Sequence, residues 1–164
     1  MNKRVFLLGG ASMVGMTFLS RYLPWRSKVM AASTENFEIT KTEEEWRNIL
    51  TPQQFEVLRQ HGTERAHTSP LDKEYGKGIF ACAGCELPLF SSETKFNSGT
   101  GWPSFFDPIP GAIATSVDNS LFTTRTEVHC RRCGGHLGHV FDDGPAPTGK
   151  RYCMNGVALK FIAS

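Results

Sequence analysis

The residues best suited to chemistry in this chain are its five cysteines, of which four form pairs and one stands alone. The pairs are the Cys-x-x-Cys motifs "CAGC" and "CRRC", with residues 86–129 between them. A Cys-x-x-Cys turn presents two thiolates to one metal ion, and two such turns complete the tetrahedral set of a structural zinc site. The predicted zinc ligands are Cys82, Cys85, Cys130 and Cys133.

Two other uses of the paired cysteines are a pair of disulfides and a thioredoxin-like redox pair. A disulfide within either motif would close a very small, strained loop. A redox pair normally opens a helix that follows a strand, and neither motif is followed by a sequence typical of a helix. The pattern therefore favours one zinc ion with a structural role.

Cys153, the unpaired cysteine, has the surroundings of a reactive thiol. If "GKRYCMNGVALKFI" is a strand, Arg151, Cys153 and Asn155 share one face. A guanidinium beside a thiol favours the nucleophilic thiolate, and an asparagine can hold an oxygen next to the sulfur. The alternative is a buried structural cysteine, and the charge of Arg151 on the same face counts against it.

Two histidines in "GGHLGHVFDDGP", His136 and His139, are candidates for proton transfer to a leaving oxygen. The alternative for either is a hydrogen-bonded structural histidine. Residues three apart point to opposite faces of an ideal strand, so Gly138 must mark a bulge or bend if both rings face one site. His61 and His67 fall in a polar loop and are expected to be solvated.

Trp102 lies in the segment "NSGTGWPSFF", where Pro103 fixes the chain directly after it. A tryptophan held on such a loop either packs into the core or forms one wall of an apolar pocket. The sequence leaves both possibilities open.

The elements that position these residues belong to a chain of ordinary globular composition. Its 164 residues, 40% hydrophobic and 21% charged, are enough for one compact domain. Five positive charges and no acid fall within residues 1–31, so the rest holds 13 basic (18 minus 5) and 16 acidic side chains. A mildly acidic body of this kind argues against binding to nucleic acid.

Residues 1–31 are predicted to be a targeting segment, residues 32–41 a linker and residues 42–164 the folded domain. Lys3 and Arg4 precede "VFLLGGASMVGMTFL", and "VMAAS" offers a small-residue cleavage site. The basic pair resembles a twin-arginine signal with one arginine replaced, which predicts export to a periplasm or thylakoid lumen. The alternatives are a membrane tether, an organelle transit sequence and a cytoplasmic location.

Two short helices and a series of strands are predicted for the domain. Thr42 with Glu45 and Thr51 with Gln54 form capping boxes, and the second helix should stop at Gly62. Short apolar runs bounded by Gly, Pro, Asn and Asp follow, as is typical of antiparallel strands. The runs are "GIFAC", "ELPLF", "LFTTRTEVHC", "GHVFDD" and "VALKFI". The expected fold is mainly β, a compact core with two small helices docked on it.

The segments "CAGC", "SGTGWPSF", "EVHCRRCGGHLGHVFDDGP" and "RYCMNGVALKF" together resemble the signature blocks of the methionine sulfoxide reductase B family, in order and in spacing. The resemblance covers about residues 42–163. It implies a fold of two small antiparallel sheets, one structural zinc held by four cysteines, and reduction of the R epimer of methionine sulfoxide in proteins.

The resemblance also implies a role for each candidate site residue. Cys153 is the nucleophile and ends the step as a sulfenic acid, while Trp102 packs against the substrate methyl group. His139 is expected to protonate the departing oxygen. The remaining residues surround that oxygen, support the site electrostatically or help to wall it: His136 and Asn155, Arg151 and Asp143, and Phe141. No organic cofactor is expected, and the zinc takes no part in the step.

Thr100 departs from the commonest family pattern, in which a resolving cysteine stands at this place in "SGCGWPSF". With four cysteines committed to zinc, an outside thiol must clear the sulfenic acid: thioredoxin, glutaredoxin or glutathione. The expected partners are therefore oxidised proteins or peptides carrying methionine sulfoxide and a thiol reductant, with no nucleic acid. The chain is expected to be a monomer.

Two functions of other classes are alternatives. A zinc-ribbon binding module without activity has no need of Cys153, of Trp102 or of the paired histidines. A general thiol–disulfide oxidoreductase would use one Cys-x-x-Cys motif as its redox pair, and the purified protein would then lack zinc.

Overall fold

The structure, a computed structural model, describes residues 36–120 and 123–164. The targeting segment predicted for residues 1–31 and the start of the predicted linker lie outside the described residues. Within the described ranges, no helix is long and apolar enough to cross a membrane.

Helices α1 (Glu43–Ile49) and α2 (Pro52–Gln60) confirm the two helices predicted from the sequence. Both capping boxes form: each threonine hydroxyl accepts the backbone N–H three residues later, and the side chain of that later residue accepts the N–H of the threonine. The second helix ends before Gly62, because His61 adopts the left-handed conformation that caps a helix, with a φ of 56°.

Nine strands follow in the described part of the chain, and they form two antiparallel sheets. The strands are β1 (Gly78–Cys82), β2 (Pro88–Ser91), β3 (Lys95–Phe96), β4 (Ser104–Phe105), β5 (Ile113–Asp118), β6 (Arg125–Cys130), β7 (His136–Phe141), β8 (Arg151–Met154) and β9 (Leu159–Ala163). The smaller sheet has the order β2-β1-β9 and the larger has the order β3-β4-β8-β7-β6-β5. The prediction of a mainly β fold with two small antiparallel sheets is confirmed.

The condition that "GKRYCMNGVALKFI" forms a single strand is not met, and Asn155 lies just beyond the strand that holds Arg151 and Cys153. The chain leaves β8 and enters β9, in the other sheet, through a 3₁₀ helix at Gly156–Ala158. The Glu64 carboxylate accepts the N–H groups of Gly156 and Val157 over 2.6 and 2.9 Å, which holds this turn in place. A side chain at position 156 would overlap Ser69, so glycine is required there.

Aromatic packing joins the two sheets in the core. The ring centroids of Phe80 on β1 and Phe105 on β4 lie 4.9 Å apart, and Phe90 on β2 stacks on Phe105 at 4.4 Å. All three side chains are fully buried. Because aromatic side chains dominate the energetics of a core, this cluster holds the large sheet firmly against the small one. The strand that carries Cys153 lies next to β4 in that large sheet.

Candidate active site and metal centre

The four paired cysteines converge where the two sheets meet. Cys82 ends β1 of the small sheet and Cys130 ends β6 of the large sheet. All four sulfurs lie within 4.8 Å of one another, with 3.8 Å between Cys82 and Cys133. Zn–S bonds of about 2.3 Å in tetrahedral geometry place two sulfurs about 3.8 Å apart. The cluster therefore fits a structural metal site that ties the two sheets together.

The sulfur contacts run between the two motifs, which argues against a disulfide within each motif. Besides the contact above, Cys85 lies 3.5 Å from Cys130. All five described cysteines are free thiols.

A cavity of about 120 Å³ opens at Cys153. In the strand register, Cys153 on β8 pairs with Ser104 of β4 on one side and with His139 of β7 on the other. The lining of the cavity is Thr63, Trp102, Arg125, Gly138, His139, Phe141, Cys153 and Asn155. Five of the eight side chains predicted for the site are in this lining. The other three do not line the cavity but contact residues that do or each other: His136 packs on His139, and Arg151 binds Asp143 and packs on Phe141.

Burial raises the pKa of the Cys153 thiol. Hydrogen bonds with Thr100 and Ser104 and the nearby charge of Arg151 act in the opposite direction, but they do not outweigh the burial. The Thr100 hydroxyl lies 3.9 Å from the sulfur. Arg151 thus favours the thiolate, as the sequence predicted, yet the resting thiol is protonated at neutral pH.

Glu64, which the sequence pattern did not single out, positions two side chains of the cavity through its backbone. Its N–H donates to Asn155 Oδ1 over 2.9 Å, and its carbonyl oxygen accepts the Trp102 indole N–H over 3.1 Å. Asn155 Nδ2 donates in turn to the carbonyl oxygen of Leu137 over 3.1 Å. The sequence left Trp102 either in the core or in the wall of a pocket, and the structure places it in the wall of the cavity.

His139 enters the cavity from β7 and is held by an acid from β5. Its Nε2 lies 2.7 Å from Asp118 Oδ2, and Arg125 donates to the same oxygen over 2.6 Å. Burial lowers the pKa of His139, although the hydrogen bond to Asp118 works against this. Hydrogen bonds from Ser120, followed by the contact with His139, hold the pKa of Asp118 well below its usual range. The resting imidazole is therefore neutral, donates Nε2–H to an ionised carboxylate and keeps Nδ1 as an acceptor.

An irregularity in β7 brings its two histidines together. The register between β6 and β7 shifts by one residue at Leu137, and the ring centroids of His136 and His139 lie 5.4 Å apart. The bulge therefore falls next to Gly138, where the sequence pattern required one. Gly138 has a further reason to be glycine, because a Cβ there would overlap the carbonyl oxygen of Cys153.

His136 is buried, only 2% exposed, and is held by an acid from β6. Its Nδ1 lies 2.7 Å from Glu127 Oε1, and its Nε2 has no partner among the described residues. Ser116 donates to the other carboxylate oxygen over 2.6 Å. Burial alone would raise the pKa of Glu127, but hydrogen bonds from His136, His61 and Ser116 hold that pKa well below its usual range.

His61 and His67 are exposed to solvent, as expected, but His61 also contacts an acid. Both side chains are about two-thirds exposed, at 64% and 66%. His61 Nδ1 nevertheless lies 3.0 Å from Glu127 Oε1, and this hydrogen bond raises the pKa of His61. The ligand atoms of His61, Glu127 and His136 are close enough to hold a metal ion, but hydrogen bonds to the ionised carboxylate already account for their spacing.

Arg151 and Asp143 form a bidentate ion pair beside the cavity. Arg151 Nε and Nη2 each donate to the Asp143 carboxylate over 2.9 Å. The guanidinium also lies 4.4 Å from the ring centroid of Phe141, in the geometry of a cation–π contact. The pair therefore fixes Phe141, a wall of the cavity, and keeps a positive charge near Cys153.

Four residues of this site escaped the sequence pattern: Glu64, Asp118, Arg125 and Glu127. Each contacts a partner in another element, so no local motif marks it. Glu64 and Asn155 are 91 residues apart, and Arg125 and Asp118 lie on two paired strands. One signal was available for Glu127, an acid beside Val128 in the run "LFTTRTEVHC", which the sequence predicts to be a strand. A carboxylate on a buried strand needs a partner, and here the partner is His136.

Comparison with known proteins decides the family. The SelR domain model matches residues 50–163. Proteins named peptide methionine sulfoxide reductase MsrB are similar to this chain in Methanosarcina barkeri, with 57% identity over 124 residues, and in Leptospira interrogans, with 53% over 127. The alignments cover 75% and 77% of this chain, and 87% and 97% of those relatives. The chain belongs to the methionine sulfoxide reductase B family.

The family extends to plants. A chloroplastic peptide methionine sulfoxide reductase B1 of Arabidopsis thaliana is 53% identical over 123 residues, which cover 74% of this chain and 61% of that protein. The resemblance predicted from the sequence is thus confirmed, and the chain is an oxidoreductase of the methionine sulfoxide reductase class. Membership argues against both alternative classes, the inactive zinc-ribbon module and the general thiol–disulfide oxidoreductase.

Proposed function

We propose that this chain reduces the R epimer of protein-bound methionine sulfoxide, with Cys153 as the nucleophile. The observation that carries the proposal is the cavity at Cys153, where a free thiol faces a tryptophan and a histidine in a chain of this family. An indole wall suits the methyl group of the substrate, and the imidazole of His139 and the amide of Asn155 suit its oxygen.

His139 moves the proton that the step requires. A neutral imidazole with Nδ1 free accepts the proton of the Cys153 thiol, and the resulting thiolate attacks the sulfoxide sulfur. This attack forms an S–S bond, and the imidazolium protonates the sulfoxide oxygen. The resulting hydroxyl group passes to the Cys153 sulfur as the S–O and S–S bonds break, which leaves Cys153 as a sulfenic acid and releases the thioether with the electron pair of the S–S bond.

This step balances without an outside proton or electron donor. The sum is Cys–SH + R₂S=O → Cys–SOH + R₂S. The substrate sulfur gains two electrons and the Cys153 sulfur loses two. The single proton of the thiol ends on the sulfenic oxygen, so His139 finishes the step neutral, as it began.

Selection between epimers follows from fixing three substituents of a pyramidal sulfur. The methyl group lies on Trp102, the oxygen lies towards His139 and Asn155, and the peptide side leaves through the cavity mouth. Only one hand of the sulfoxide satisfies all three positions while presenting its sulfur to Cys153. We assign that hand to the R epimer, as the resemblance implies.

An outside thiol clears the sulfenic acid. Thr100 lies 3.9 Å from Cys153 Sγ, and its hydroxyl cannot form a disulfide. The other four described cysteines form the metal cluster. Thioredoxin, glutaredoxin and glutathione are the candidate reductants. The proposal has three further parts. The ion in the four-cysteine cluster is zinc with a structural role. The chain acts as a monomer, and its amino-terminal segment directs export.

Separate R and S methionine sulfoxide peptides, assayed with a dithiol reductant, test the proposal. Turnover of the R peptide, with little or none of the S peptide, is the expected result. A preference for the S peptide contradicts the epimer assignment, and turnover by Cys153→Ser contradicts the assigned nucleophile.

A further inference from the structure

A second cavity, of about 640 Å³, adjoins the cavity at Cys153. Thr63 lines both cavities. Asn155 lines the smaller one, and the next two residues in the chain, Gly156 and Val157, line the larger. Glu64 separates the two, since it also lines the larger cavity while its backbone binds Asn155 and Trp102. We call the larger cavity the groove.

The groove has an apolar floor and a polar rim. Its floor is formed by aliphatic and aromatic side chains that pack against the core: Val57, Leu71, Val157, Leu159 and Phe161. The rim carries amide, hydroxyl and guanidinium groups: Gln53, Gln54, Thr68, Ser69 and Arg65. Such a surface offers a place for an apolar side chain and hydrogen-bond partners for an extended backbone.

The two cavities differ in size, and this difference indicates which part of a substrate each can hold. Sites for drug-sized ligands enclose about 300–1,000 Å³; the groove falls within that range and the cavity at Cys153 does not. A cavity of about 120 Å³ takes the end of a methionine sulfoxide side chain and little else. The polypeptide that carries this side chain must lie outside, against the neighbouring surface.

We propose that the groove binds the polypeptide segment flanking the oxidised methionine and prefers an apolar residue in that segment. This inference rests on the proposed function. It assigns a substrate subsite to Leu71 and to the exposed face of α2, which carries Gln53. The groove then contributes to the affinity for oxidised proteins, and the smaller cavity alone serves free methionine sulfoxide.

The test compares substrates of two lengths, with a dithiol as reductant so that no protein reductant has to dock. The substrates are N-acetyl methionine sulfoxide amide and an eight-residue peptide with methionine sulfoxide at its centre and leucines on both sides. The variants are Leu71→Ala, which removes part of the floor, and Gln53→Trp, which adds bulk at the rim. Their matched controls are Ile109→Ala, another partly buried aliphatic residue, and Gln60→Trp, on the same helix but outside the groove.

Wild-type protein should have a lower KM for the peptide than for the short substrate. Each groove variant should lose about fivefold or more in kcat/KM for the peptide, the usual scale for one interface side chain, and change little with the short substrate. The two controls should match the wild type with both substrates.

Equal losses on both substrates, or no loss on the peptide, overturn the groove assignment. So does a variant whose KM rises for a thioredoxin reductant while its KM for the peptide stays unchanged, since the groove would then receive the reductant. Failure of the proposed function is distinct, because wild-type protein would then turn over neither substrate.

Discussion

His139 and Cys153 lie directly opposite each other in the antiparallel pairing of β7 with β8, and both side chains line the same cavity. Burial favours the uncharged form of both side chains, because it raises the pKa of the thiol and lowers the pKa of the imidazole. At neutral pH both groups are therefore uncharged at rest. In the proposed reaction, the proton on the Cys153 sulfur passes to this ring, which lies on the neighbouring strand.

Replacing His139 should slow the chemical step without changing the fold. His139→Ala is expected to lower kcat by about 100- to 10,000-fold, the usual scale for a positioned acid–base group. Single-turnover kinetics with an R sulfoxide peptide measure the loss. His67→Ala, which alters an exposed imidazole outside the cavity, serves as the control and should behave like the wild type. Loss of less than about tenfold in His139→Ala would assign the proton transfer to another group.

Removal of the metal should unfold much of the protein. Cys82→Ser is expected to release the ion and to disrupt the junction of β1 with β6, because metal binding at such a site contributes folding free energy. Elemental analysis of the wild type should find about one zinc per chain, and circular dichroism should report the loss in the variant. Cys153→Ser should keep both metal and fold while losing turnover. A wild-type domain that is folded and free of zinc would rule out the structural zinc site.

The sulfenic acid on Cys153 should persist in the absence of an outside thiol. Treatment of the reduced protein with one equivalent of methionine sulfoxide should add one oxygen, trappable by a sulfenic-acid reagent and visible by mass spectrometry. Thr100→Cys should shift the product towards a disulfide, because the native hydroxyl already lies 3.9 Å from the sulfur. A wild-type product two hydrogens lighter than the reduced protein would instead mean that a metal-cluster cysteine resolves the intermediate.

Glu127→Gln should destabilise the fold at neutral pH and cease to matter in acid. Hydrogen bonds from His136, His61 and Ser116 depress the pKa of this carboxyl below its ordinary value of 4.5. A carboxyl with a depressed folded-state pKa stabilises the fold above the unfolded pKa, and this contribution is lost as the pH falls towards the folded value. The expected loss is about 1–3 kcal/mol at pH 7.

Urea denaturation of wild type and variant at several pH values measures this difference. It should be largest between about pH 5 and 6 and shrink progressively as the pH is lowered below the unfolded pKa of the Glu127 carboxyl. It should also fall as the pH rises above about 6.5, because Glu127 raises the pKa of His61 and this stabilising contribution is lost as His61 deprotonates. Glu56→Gln, an exposed acid in the middle of α2, is the matched control and should change stability little at any pH. A difference that grows in acid would mean that Glu127 is protonated in the native state.

The sequence predicted the local elements well, because their signals are local. Capping boxes span four residues, and the Cys-x-x-Cys motifs and the block around Cys153 are read from neighbouring positions. The predicted helices and the four-cysteine cluster are therefore present in the structure. The single strand assumed for residues 149–162 does not form, because Glu64, far away in the chain, binds the backbone of the 3₁₀ turn at Gly156.

Positions that depend on partners in another strand could not be predicted in the same way. Asp118 and Glu127 hydrogen-bond to His139 and His136 across strands, and strand pairing is not readable from spacing alone. The sign of the pKa shift at Cys153 also depends on burial, a property of the whole fold, which outweighs the adjacent Arg151. Residue types thus indicate which chemistry is available, while the charge state at rest follows from tertiary packing.

The position of β8 in the large sheet has a consequence for biosynthesis. Of the six strands in that sheet it is the last to be translated, yet it lies between β4 and β7, so the five earlier strands cannot close into one sheet until it arrives. A nascent chain that stops short of β8 therefore holds all four cysteines of the metal cluster but neither a closed large sheet nor the cavity at Cys153.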